Sequence, residues 1–154
     1  MTGGTGLDLH RLSPAEKAIA ATGPILFASS FIKGWATFDS LGASFSMWGA
    51  FGIPQRLGIA AVLFAAVLAL SRAASKEIVP TPSAYLKLSG AGALLLVLGI
   101  LQGPGTGFGR GVLLYAATAL AFAQCYAGVV YLHENRRLPR AVRRATFGRR
   151  RRAA

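Results

Sequence analysis

Gly103, Gly105, Gly107, Gly109 and Gly111 fall on alternate positions of the stretch GPGTGFGRG, with Arg110 among them. Glycine-rich loops are one way for a chain to cradle phosphate, because a bare backbone brings its N–H groups close to the oxygens. That chemistry needs the right flanks. A P-loop requires Lys followed by Ser or Thr, which is missing here, and counting from Gly105 and Gly107 the third glycine of a dinucleotide fingerprint falls on Arg110. An apolar helical run, not a strand, comes before the stretch. It is therefore read as a tight connection whose glycines permit positive φ angles and close approach of helix ends, with Arg110 reaching the headgroups of the outer leaflet.

Other reactive side chains are sparse. His10 and His133 are the only histidines, Cys125 is the only cysteine, and there is no HExxH, CxxC, GxSxG or paired-carboxylate pattern. His133 beside Glu134 would bind a metal only with ligands from another chain; its expected role is a cation at the C-terminal end of a helix. Cys125 lies in an apolar run and reads as a small buried hydrophobe. No catalytic, cofactor or metal residue is assigned, and a non-enzymatic protein is expected.

The elements that carry these residues follow from composition. Of 154 residues, 53% are hydrophobic and 14% charged, against roughly 25% charged in an average soluble domain. A soluble chain this small has too much surface to hide so much apolar residue, so the excess is expected to face lipid. Net charge is +12, and nine of the 17 Lys and Arg are arginines after Glu134.

Four spans are expected, at about residues 14–35, 54–75, 82–102 and 109–132. The first opens on Ser13, Pro14 and Glu16, a capping box with proline at the first helical position. Pro24 should kink it, with Lys33 and Trp35 at its far end. In the second, Pro54 opens a helix whose Arg56 and Arg72 snorkel to opposite faces. Thr81 and Pro82 start the third. The fourth has no charged residue between Arg110 and His133. Between the first two spans lies ATFDSLGASFSMWGAFGIP, read as an interfacial turn or a short hairpin.

Orientation follows from the cations. With the N-terminus cytoplasmic, the inside holds 14 of the 17 Lys and Arg, and Lys33, Arg56 and Arg110 lie outside. The expected fold is all-α, an integral membrane antiparallel four-helix bundle with both termini cytoplasmic. A segment 1–13 precedes it and a basic tail, 134–154, follows. Its helices would pack through small residues, Ala61, Ala65 and Ala69 on the second span and Ala117, Ala121, Gln124 and Gly128 on the fourth. Thr22, Ser29, Ser30, Thr118 and Gln124 are the polar groups singled out inside the spans; no Asp, Glu or His lies near the middle, where an ion-coupled transporter would place one.

The tail carries Arg136, Arg137, Arg140, Arg143, Arg144, Arg149, Arg150, Arg151 and Arg152. Each basic residue beside an anionic surface is worth about 1 kcal/mol, so the tail is expected to bind anionic lipid headgroups or an acidic partner. Phe147 alone is there to stack on a base, so nucleic acid is not the expected partner. RRAT, Arg143–Thr146, has the form of a basophilic kinase site whose phosphate would loosen the tail from lipid.

With its RLSPAEKAIA opening, the aromatic residues after the first span and WGAFG before the second, the chain resembles small four-helix integral membrane proteins of unknown function from actinobacteria. The likeness covers all but the tail. It implies a bacterial inner (plasma) membrane location and transfers no functional residue. The expected role is an accessory or scaffold subunit packing against a larger membrane complex or itself; the alternative is a small oligomeric transporter or channel protomer.

Overall fold

The computed structural model describes residues 8–74 and 80–137, with the side chains of Asp39 and Arg137 left out. Of the tail arginines, Arg140, Arg143, Arg144, Arg149, Arg150, Arg151 and Arg152 lie outside the described residues, as does Thr146. The described chain is mostly helical. Helix α1 spans Pro14–Ser29, α2 Met47–Ala50, α3 Ile53–Ala74, α4 Pro82–Gln102 and α5 Val112–Arg137. Strands β1 (Ala36–Phe38), β2 (Ala43–Phe45) and β3 (Gly109–Arg110) form a small sheet.

Helix α1 starts where its cap dictates. Ser13 Oγ accepts from the Glu16 N–H at 3.3 Å, and Glu16 Oε2 accepts from the Ser13 N–H at 3.0 Å. Pro24 lies inside the helix, which continues across it. The end falls at Ser29, six residues short of the Trp35 boundary expected from hydropathy. Hydroxyls and later residues take up the last carbonyls: Ser29 Oγ donates to Leu26 O at 2.8 Å, Ser30 Oγ to Phe27 O at 2.6 Å, and the Trp35 indole to Ser29 O at 2.7 Å. The Met47 N–H donates to Ser30 O at 3.2 Å. Gly34, at φ 116°, then turns the chain into β1.

The expected all-α bundle gains a small sheet at this end of the molecule, and the segment expected as an interfacial turn or a short hairpin forms that hairpin. β1 and β2 form an antiparallel hairpin, with Ala36 opposite Phe45 and Phe38 opposite Ala43. β3 pairs antiparallel with the other edge of β1, Ala36 opposite Arg110, so the sheet order is β2-β1-β3. The reason is geometric. A Cβ on Gly111 would collide with the backbone carbonyl of Gly34, so two glycines let the chain before α5 lie against the chain before β1. Residues 109–111, expected as the first turn of the last span, belong to this sheet and its exit, and α5 begins at Val112. At its other end α5 continues past residue 132, taking in Glu134 and Arg136, which were expected to belong to the tail.

Three helices, α3, α4 and α5, are long and apolar enough to cross a membrane. They pack together in sequence order, and α1 packs against both α3 and α5. Neighbours run antiparallel. Gln55, at the start of α3, fills the space beside Gly99 at the end of α4, and Gly128 late in α5 faces Tyr85 and Leu86 early in α4. Phe64, Leu94, Leu101, Phe122 and Tyr126, all more than half exposed, point away from the core. A set of helices apolar on both the buried and the outer face suits lipid, not water.

Candidate functional site

Glu16 is fully buried, 1% exposed, one turn into α1. An isolated carboxylate there would be expensive, so its partners decide what it can do. Arg72, in the last turn of α3, donates from Nη1 to Glu16 Oε1 and, at 2.6 Å, to Tyr131 Oη on α5. Tyr85 Oη, from α4, donates to the same carboxylate oxygen at 3.3 Å. The Tyr85 and Tyr131 rings meet edge to face with centroids 5.0 Å apart, and Arg72 Cζ lies 5.8 Å over the Tyr131 ring. Side chains from α3 and α4 therefore meet at a single carboxylate on α1, and α5 joins them through Arg72. Arg72, expected to snorkel outward, turns inward because the buried Glu16 carboxylate needs a charged partner.

The charge placement suits the helix ends. Glu16 lies at the positive end of α1 and Arg72 at the negative end of α3, so both dipoles favour the charges they hold. The arrangement supplies a neutralised ion pair braced by two phenols, a clasp holding four helices at one level. A recess of about 370 Å³ opens beside it, lined in part by His10, Arg11, Arg72, Tyr131, Glu134 and Asn135.

At mid-bundle, Gln124 is fully buried and its Nε2 donates to Val62 O at 3.1 Å, bridging α5 to α3 as its residue type suggested. Its Oε1, and the Oγ of buried Ser89 on α4, have no hydrogen-bond partner. Ala65, Ala69, Ala117, Ala121 and Gly128 of the expected seams are buried, whereas Ala61 is half-buried at the edge of its stripe. Two glycines mark close helix contacts. A Cβ on Gly92 would lie 2.5 Å from Val62 Cγ2 and 2.8 Å from Gly58 O, and Gly23 sits against Ala66.

At the sheet end, the glycine link uses its freedom at Gly103, Gly105 and Gly107, with φ of 71°, 123° and 84°. Arg110, exposed, folds back onto α4. Its Nε donates to Ile100 O and its Nη2 to Leu101 O at 3.3 Å, closing the C-terminal end of α4. A guanidinium so placed satisfies carbonyls that the helix itself leaves open. Nearby, Trp48 Nε1 donates to Ser30 Oγ at 2.9 Å, and Arg56 Nη2 donates to Trp48 O at 2.8 Å.

Compared with protein-family models, curated proteins and solved structures, the chain matches none of them significantly. Function is argued from its own side chains. The clasp was hidden in the sequence because its members lie 56, 59 and 69 residues apart along their bonds. The available signal was a Glu and a Tyr near the starts of the first and third apolar runs, and an Arg and a Tyr near the ends of the second and fourth, which antiparallel packing brings to one level.

Proposed function

We propose that the chain is a non-enzymatic integral membrane protein of the bacterial inner membrane. It crosses four times with both termini cytoplasmic, and serves as an accessory or scaffold subunit. Helix α1 has 16 residues, about 24 Å at 1.5 Å per residue. The exposed, apolar Phe31 and Ile32 carry its surface further toward the bilayer's outer edge. Every described charge on a helix lies within two turns of that helix's end, and the buried Glu16 is matched by Arg72 of the same chain. That placement is what a bilayer demands of a chain with no charged cargo to hold.

The scaffold reading rests on one observation. The buried small residues are engaged between the chain's own helices, while α5 also has Ala116, Ala119 and Ala123 on its exposed side at helical spacing. A second helix can approach such a surface closely. The transporter or channel reading has its own support in the unpartnered Ser89 Oγ and Gln124 Oε1 at mid-bundle. Affinity purification in mild detergent separates the two. The scaffold role predicts a co-purifying larger membrane protein that is lost when Ala119→Leu fills the α5 surface. A closed homo-oligomer that conducts ions in liposomes would overturn it.

A further inference from the structure

The clasp is an internal brace, yet the recess beside it is wider than the brace needs. It mixes charges: the partly exposed Arg72, paired with Glu16, and Arg11, paired with Asp8, contribute guanidinium groups, His10, Tyr131 and Asn135 contribute polar groups, and Glu134 contributes a carboxylate without a partner among the described residues. Glu134 also lines a second, open groove of about 500 Å³, with Tyr126, Val129, Val130 and His133. These residues follow one face of α5 at helical spacing. From Glu134 to Tyr126 is eight residues, about 12 Å toward mid-bundle at 1.5 Å per residue. A polar recess and an apolar groove thus share one carboxylate, and the groove runs along the helix as an acyl chain does in a leaflet.

From this we infer that the recess and groove form a binding site for an aminophospholipid. The lipid phosphate faces Arg72 and the His10–Arg11 edge, its primary ammonium meets Glu134, and one acyl chain lies against Tyr126, Val129 and Val130. Phosphatidylglycerol presents the same phosphate but has no cation to meet Glu134, and a choline headgroup has no N–H to donate. The inference rests on the membrane reading above, which puts this end at the headgroups of the cytoplasmic leaflet.

Native mass spectrometry of the full chain in detergent, titrated with phosphatidylethanolamine, phosphatidylcholine and phosphatidylglycerol, tests it. Phosphatidylethanolamine should bind about fivefold more tightly than phosphatidylcholine, the factor expected from one charge-assisted hydrogen bond. Glu134→Gln should abolish that preference without unfolding the protein, because Glu134 is exposed. Equal affinity for all three lipids would overturn the site while leaving the membrane reading intact. Binding of none, with the protein soluble free of detergent, would overturn both. Soluble glycerophosphoethanolamine should bind more weakly than the lipid; equal binding would remove the groove from the site and overturn the lipid assignment.

Discussion

Glu16→Ala should lower the stability of the helical domain by about 3 kcal/mol, the low end of what removing one partner of a buried ion pair does. The low end applies because the Arg72 side chain is 31% exposed and recovers some hydration. Two losses combine: the reciprocal bond of the capping box, worth about 1 kcal/mol, and the acceptor for Arg72 and Tyr85. Glu16→Gln keeps the capping-box chemistry and removes the charge, so it should fall between wild type and Glu16→Ala. The pair Glu16→Gln with Arg72→Met removes both charges and should be more stable than Glu16→Gln alone, since no buried charge is then left without a partner. Thermal unfolding in detergent measures all three variants. A Glu16→Ala protein as stable as wild type would remove the clasp from the account.

The second large effect is a difference in sign between two glycines on one helix. Gly92→Ala should destabilise by about 2 kcal/mol, the usual scale of overpacking. Its Cβ would lie 2.5 Å from Val62 Cγ2 and 2.8 Å from the backbone oxygen of Gly58. Neither can step aside: a β-branched Val in a helix has essentially one rotamer, and a backbone carbonyl has none. Gly90→Ala meets only Cys125 Sγ, at 3.8 Å, and should stabilise by up to about 1 kcal/mol through better helix propensity. Melting curves of the two variants decide it. If both move in the same direction, the register of α3 against α4 is wrong.

What could be read from the sequence was local. Ser13, Pro14 and Glu16 announce the start of α1 within four residues, and Thr81 and Pro82 place the start of α4 where it is observed. The turn character of the glycine link was legible too, because positive φ is a property of single residues. Distant partners set the rest. The end of α1 depends on the Trp35 indole and the Met47 N–H. β3 has two residues and no pattern of its own; it exists because β1 is there to pair with it. Glu16 looked like a cap and is one, but its second role needs Arg72, Tyr85 and Tyr131, which no local rule connects to it. Ala61 shows the limit of spacing arguments, since the alanine repeat on α3 drifts away from the buried stripe at that point.

We propose a chain that crosses the membrane four times, with the clasp on the cytoplasmic side and the sheet outside. Single cysteines in a Cys125→Ser background, probed in intact cells with a membrane-impermeant thiol reagent, test it most directly. The exposed positions Leu41, at the hairpin, and Thr106, in the glycine link, should react from outside as Leu41→Cys and Thr106→Cys. His10→Cys and Arg136→Cys, beside the clasp, should react only after permeabilisation. Reaction of His10→Cys and Leu41→Cys from the same side would show that α1 does not cross, and would contradict the account.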